Sequence, residues 1–409
     1  MKLFKALVIL LLTLPVLPIS AENGMNSPYT RFGFGQLSSM ATGTSSSMGG
    51  TGIGVHNSNQ INMLNPASYA AVDTLTFLLD VGMSMGNTHL SENGVKMNAA
   101  NATFDYLAMQ FRLKPHLGFT LSMTPFSNIG YDFSETHPIY NDDEGQTTVT
   151  NRYLGTGGLR RVTAGIGYAP LRGLSVGANF SYIYGEIYHY IYNQYSDASI
   201  GSRTRQYRAD VTTYDINLGM QYQLHVGKNR FTIGATYRPG HTIDDKAYTI
   251  ETVSSNDTTD VTDLSIPSAY GAGVSYTYDD RLTIAADYSM EQYSTTAFFG
   301  AEGADRHRAS IGMEYIPELL TRKLFRRARY RAGLHYTTSH YKQGPTEYGA
   351  TIGIGLPIMN RWNGKSIVNI SGQYIHARPN VPGMITENSL RLSIGLSFNE
   401  TWFNKWKVQ

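Results

Sequence analysis

Cysteine is absent from all 409 residues. Its absence excludes a disulfide framework, a thiolate zinc or redox site, and the lipid-bearing cysteine of a bacterial lipoprotein. Excess charge is missing as well. The chain carries 33 Lys and Arg against 31 Asp and Glu, so its net charge of +2 gives no argument for nucleic acid as a partner. Beyond the N-terminus no uninterrupted apolar run is long enough to span a bilayer as a helix. Hydrophobic residues make up an ordinary 41%, so they must act through their arrangement. What the chain has in quantity is glycine, 41 residues, and tyrosine, 29.

Catalytic signatures are missing too. The 11 histidines are scattered, with no His-x-x-x-His helix and no Gly-x-Ser-x-Gly elbow. Gly50, Gly52 and Gly54 follow no strand and open no helix, so they do not read as a nucleotide loop. We therefore expect no enzyme, and we assign no catalytic residue, metal ligand or cofactor.

The N-terminus reads as a secretory signal over residues 1–21. Lys2 and Lys5 supply the positive start, Ala6 to Leu17 the apolar core, and Ile19-Ser20-Ala21 a cleavage site. That core is too short to span a bilayer, and Pro15 and Pro18 argue against an anchor. Further on, period-two alternation recurs. Leu174, Val176, Ala178, Phe180, Tyr182 and Tyr184 share one face, and Ser175, Gly177, Asn179, Ser181 and Ile183 the other. Leu390, Leu392, Ile394, Leu396 and Phe398 alternate with Arg391, Ser393, Gly395 and Ser397 in the same way. Alternation over nine or more residues is the signal of a tilted membrane-spanning strand.

About fourteen such runs can be counted. They start near Thr74, Ala102, His116, Leu159, Gly173, Arg208, Asn229, Ile266, Arg281, Asp305, Ala328, Glu347, Ser366 and Asn388. The connections alternate in length. Lys114-Pro115, Pro170 to Arg172, Gly227-Lys228 and Asp279-Asp280 are short. Asn87 to Asn101, Ser134 to Gly158, Asn193 to Tyr207 and Asp244 to Ser265 read as long polar loops. An even strand count with short turns at one end and long loops at the other is the pattern of an outer-membrane barrel. The expected fold is all-β: a 14-stranded antiparallel transmembrane β-barrel over residues 73–403, with a short tail at 404–409.

Between the signal and the first strand lies a segment, 22–72, with no periodic apolar face. The expected inward faces of the strands are rich in glycine, including Gly118, Gly165, Gly167, Gly177, Gly219, Gly234, Gly312 and Gly333. Inward glycines let another backbone approach closely, and a barrel of this strand number is too wide for side chains alone to fill. Residues 22–72 are therefore expected to plug the lumen.

On the residues Met48-Gly49-Gly50-Thr51-Gly52, the polar run Asn57 to Asn62, and Asn65-Pro66-Ala67 leading into the first strand, the chain resembles the long-chain fatty-acid transporter (FadL) family of outer-membrane barrels. The resemblance implies an N-terminal hatch marked here by Gly49, Gly50, Gly52, Asn65, Pro66 and Ala67. It also implies uptake of hydrophobic molecules that leave sideways at a kinked third strand. In this chain Pro125, with Asn128, is the candidate for that lateral gate, because proline inside a strand cannot donate a ladder hydrogen bond. The alternative is that Pro125 sits where the strand rises into its loop.

Arg31, Arg112, Arg238 and Arg391 are candidates to receive a ligand's carboxylate headgroup. The alternative is internal pairing with Asp215, Asp287 or Glu314. The run Arg322 to Arg329 reads as a basic turn at the inner rim, either touching anionic lipid or a periplasmic partner, or simply solvated. The function expected is passive uptake of hydrophobic or amphipathic small molecules, such as long-chain fatty acids, across the bacterial outer membrane. The expected surroundings are outer-membrane lipids and lipopolysaccharide. The alternative is a non-transporting scaffold, like the shuttle barrels of type IX secretion, with a secreted protein as partner.

Overall fold

The computed structural model describes residues 26–401, apart from 74–75, 93, 142–144, 198, 244–246, 253–255, 262–263, 299–300, 320, 322 and 359–365. The expected signal peptide and C-terminal tail lie outside the described residues. Fourteen strands form the wall: β1 (Thr76–Glu92), β2 (Val95–Lys114), β3 (Leu117–Asn141), β4 (Gly145–Leu171), β5 (Leu174–Tyr195), β6 (Arg203–Val226), β7 (Asn229–Arg238), β8 (Ala269–Tyr278), β9 (Leu282–Glu291), β10 (Arg306–Tyr315), β11 (Arg329–Thr337), β12 (Thr346–Pro357), β13 (Ile367–Arg378) and β14 (Thr386–Thr401). Each is antiparallel to the next, and β14 returns to β1, from Thr76↔Thr401 to Ser91↔Thr386. The wall therefore closes without an edge at that seam. The starts of β3, β5, β7, β9 and β10 fall within a residue of those expected, because period-two alternation is strong there.

Alternation sorts the side chains as expected. Phe180, Ile233, Val274, Leu334, Ile352 and Leu390 stand exposed on the outer face, and their intervening neighbours face inward. The tight turns also match their residues. Asp279 and Asp280 have φ of 51° and 53°, the left-handed pair that a two-residue hairpin needs.

The expected long loops fold differently. Strands β3 to β6 run for 25, 27, 22 and 24 residues, against 10 for each of β7 to β10. Ten tilted residues cover about 25 Å, the height of the apolar band, so β3 to β6 continue well above it. The stretches 87–101 and 134–158 are mostly strand, and 244–265 holds a hairpin, Ala247–Thr252 and Asn256–Val261, whose first strand pairs with β6. Outside the bilayer a strand needs no apolar face. Polarity alone was therefore a poor signal for loop.

Candidate functional site

The N-terminal segment is held against the inner face of the wall by its own backbone. Ser27 caps a 3-10 turn, Pro28–Arg31, at the long-loop end, and its hydroxyl donates to Glu387 on β14 at 2.6 Å. The Tyr29 hydroxyl donates to the Ile385 carbonyl, and burial beside Glu387 and Glu92 holds that phenol well above its usual range. Phe34 is fully buried and enters an apolar cluster with Phe126, Ile129, Leu159, Ile183 and Val211 that fills the upper lumen.

Below it the chain forms a short strand, Gln36–Leu37, paired with Asn128 and Ser127 of β3. It then turns through Gly49 and Gly50, whose φ values of 71° and 83° favour glycine. The Gly49 amide donates to Thr351 Oγ1 at 2.9 Å, and Arg308 Nη2 donates to the Gly49 carbonyl at 2.9 Å. The Gly52 and Ile53 amides both donate to one carboxylate oxygen of Asp287, at 2.6 and 2.8 Å. Gln221 Nε2 and Asn65 Nδ2 each donate to the Ile53 carbonyl at 2.9 Å. Asn65 also caps the turn Pro66–Ala71 by accepting from the Ala67 amide.

This turn lies on the glycine lane of the wall. A Cβ at Gly177 would stand 2.4 Å from the Pro66 carbonyl carbon, and one at Gly118 would stand 1.9 Å from the Tyr69 oxygen. Gly49 and Gly50 lie against β10 and β11, whereas Asn65 to Ala67 lie against β5 and β6. Asn65 and Ala67 are fully buried, and Gly52 touches Asn62 and Leu64.

The wall itself has a break. Strand β2 pairs with β3 only from Leu107↔Met123 to Lys114↔Leu117. Above that, residues Val95 to Tyr106 of β2 pair with β1 alone, and β3 from Thr124 onward pairs with β4. Part of the missing partner is supplied from inside, by Gln36–Leu37. Pro125 stands at the parting point. It faces Arg160 of β4, and the register shifts between Pro125 and Ser127. Asn128 Nδ2 donates to Ser38 of the plug at 3.3 Å. On the other side of the break β2 bulges at Asp105, which accepts from Ser84 at 2.8 Å.

Among the described residues, several cavities adjoin these features. One of about 160 Å³ reaches the break and is lined by Asp105, Tyr106, Pro125, Asn128 and Arg391. A second, of about 170 Å³, is strongly charged, with Arg161, Arg238, Arg306 and Arg308 facing Asp215, Asp287 and Glu291. A third, of about 330 Å³ at the long-loop end, is mainly apolar, lined by Phe32, Leu90, Val95, Met97, Phe133 and Met384.

The four expected headgroup arginines are not brought together. Arg31 lines the outer cavity, with its guanidinium 4.1 Å from the Tyr153 ring centre. Arg238 is paired with Glu291 at 3.4 Å and Asp215 at 3.9 Å. Arg391 lines the cavity at the break. Arg112 lies at the short-turn end, where its Nε donates to the Lys114 carbonyl. Sequence reasoning missed Arg161, Arg306 and Arg308. Arg161 carried a usable signal, because it alternates with Thr163 and Gly165 on an inward face.

Among solved structures, the chain is similar to the P. putida toluene transporter TodX (13% identity, TM-score 0.62, covering 90% of this chain and all of that one). It is also similar to a Pseudomonas aeruginosa FadL homologue (12%, 0.62, 91% and 100%) and to the CymD monoaromatic hydrocarbon channel (16%, 0.58, 90% and 98%). At these identities the likeness is one of fold. No curated protein sequence matches the chain. The model of the BamG family matches residues 3–409, and the chain belongs to that family.

Proposed function

We propose that this protein is an outer-membrane channel for passive movement of hydrophobic or amphipathic small molecules, entering from the long-loop side and leaving sideways between β2 and β3. The observation that carries this reading is the break in wall pairing at Pro125, backed by a cavity and occupied in part by the plug's own strand. A ligand with an apolar body would first meet the outer cavity at Phe32 and Met97. Its polar end would then be met by Arg391 or by the charged cavity, where desolvated guanidinium groups bind oxyanions. Residues 22–72 would act as the hatch, shifting enough to connect the cavities. No energy source is needed for movement down a gradient. The ligands named for the similar structures, toluene and monoaromatic hydrocarbons, are of the same apolar class; long-chain fatty acids are a second candidate class.

The experiment is uptake of a labelled aromatic hydrocarbon and a labelled long-chain fatty acid by cells making the protein, compared with a Pro125→Ala variant. Alanine restores a backbone donor at the parting point. The variant should keep its heat-resistant barrel mobility on gels and lose most of the uptake. Unchanged uptake by the variant removes Pro125 from the mechanism, and no uptake by the native protein rejects the channel.

One observation favours the scaffold reading as well. Among the described residues the strand Asn256–Val261 pairs on one side, with Ala247–Thr252, and a strand edge above the membrane can accept an extended segment of another chain. A stoichiometric exported protein on purification would favour that reading, and a lipid-like molecule in the lumen would favour the channel.

A further inference from the structure

The connection between β10 and β11 is unlike the other described turns at its end of the barrel. It runs from Ile316 to Ala328 and contains one helical turn, Leu324–Arg327. Its apolar side chains are not tucked away: Leu319 is 45% exposed, Leu324 42% and Phe325 67%. Beside them Lys323 and Arg326 are exposed and Arg327 half-buried, with Glu318, paired to Arg326, as the acid facing them. The neighbouring basic residues Arg329 and Arg331 belong to a different set, since both are bound to Glu314 in the wall.

What fixes the direction of the turn is Tyr330. It alternates with Leu334 and Tyr336 on the outer face of β11 and lies in register beside Tyr315, also on the outer face. Its hydroxyl donates to the Phe325 carbonyl at 3.0 Å. The turn is thereby tied to the outer side of the rim, over a pair of tyrosines of the kind that marks a membrane interface. Exposed Leu324 and Phe325 thus lie next to the outer-face Tyr330, with Lys323, Arg326 and Arg327 in the same turn.

From this geometry we infer that the turn is an anchor for anionic phospholipid of the leaflet that meets the short-turn end. Phe325 and Leu324 enter the acyl border, and the basic side chains take the headgroup phosphate. The inference rests on the reading that the barrel spans a membrane.

The absence of cysteine makes the test direct. Phe325→Cys in the full chain is labelled with a bimane dye and reconstituted in phosphatidylcholine vesicles containing a fraction of nitroxide-labelled phosphatidylglycerol or nitroxide-labelled phosphatidylcholine. Val274→Cys, 52% exposed in the belt, is the control. The expected result at low salt is lipid quenching at both positions. At 325 alone, quenching by the glycerol lipid should be at least twofold stronger, and that preference should disappear in the Lys323→Gln, Arg326→Gln, Arg327→Gln triple variant. Quenching at 325 by aqueous iodide without lipid quenching overturns the inference and points to a periplasmic protein as the occupant. Equal quenching by the two lipids also overturns it. Lack of lipid quenching at Val274 instead defeats the membrane-barrel reading beneath it.

Discussion

Asp287→Ala should release the middle of the plug while leaving the wall intact. One carboxylate oxygen on β9 accepts from two consecutive amides, Gly52 and Ile53, at 2.6 and 2.8 Å. Both residues are buried, and their other hydrogen bonds run through their carbonyls, which accept from Asn62 and Val55 at Gly52 and from Gln221 and Asn65 at Ile53, so the two amides depend on Asp287. Removing the acceptor forfeits two hydrogen bonds and leaves two donors unsatisfied, about 3 kcal/mol in all when each bond is taken at roughly 1.5. Since 1.4 kcal/mol is tenfold in an equilibrium constant, local opening should rise on the order of a hundredfold. Hydrogen exchange measured by mass spectrometry on peptides covering residues 48–65 reads this change directly. The expected result is loss of about two decades of protection at Gly52 and Ile53, with amides of β8, β9 and β10 unchanged. Asp287→Asn, which keeps an acceptor oxygen, should show a smaller loss. A change of less than about threefold at Gly52 and Ile53 would refute the view that Asp287 holds the plug, and equal acceleration across β8 to β10 would mean that it holds the wall instead.

Two further outcomes follow from the same contacts. Gly177→Ala puts a methyl group 2.4 Å from the Pro66 carbonyl carbon, and overpacking of this kind costs about 1–3 kcal/mol. Thermal unfolding should therefore move to lower temperature, while Gly372→Ala, whose Cβ would meet only Ile352 at 4.0 Å, should leave it unchanged. His340 lies in the Thr338–Pro345 connection, where burial, and then Arg306, pulls its pKa from 6.5 down to about 4. The open loop would take up a proton below about pH 6.5 that the closed loop refuses until about pH 4. Closure is therefore fully stable above pH 6.5 and loses up to about 3 kcal/mol as pH falls through that window. Hydrogen exchange in the loop, corrected for intrinsic rates, should speed up from pH 7.5 to pH 5, and His340→Gln should flatten that dependence.

The wall was legible because its physics is local. Alternation of Leu174 to Tyr184 or Leu390 to Phe398 requires neighbours only two residues apart, and Asp279-Asp280 is a hairpin turn in its own right. The contact of the N-terminal segment with the wall was legible at one remove. Gly118 and Gly177 announced a close approach, and Asn65-Pro66-Ala67 the lead into the first strand, but the cap that Asn65 forms and the anchoring by Asp287 left no sequence signal. The break in the wall was only half visible. Pro125 marks β3, yet the free length of β2, Val95 to Tyr106, lies largely in a polar stretch that reads as a loop. Two strands that fail to pair leave no sequence signal of their own. The charged cavity was hidden for a related reason: Arg161 comes from β4 and Arg306 and Arg308 from β10, and their meeting depends on barrel closure.

In the proposed route, Gln36–Leu37 must leave β3 for molecules to pass the break. Leu37 and Ser127 are register partners across that contact, and Ser38 N–H to the Phe126 carbonyl at 2.9 Å makes them the non-hydrogen-bonded pair, with Cα atoms about 4.5 Å apart as a disulfide requires. In a chain with no cysteine of its own, Leu37→Cys with Ser127→Cys should form a single bridge. Uptake of labelled hydrocarbon should then be lost when the pair is oxidised and return on reduction, with either single variant indifferent to redox conditions. Full uptake by the oxidised, bridged protein would contradict the account.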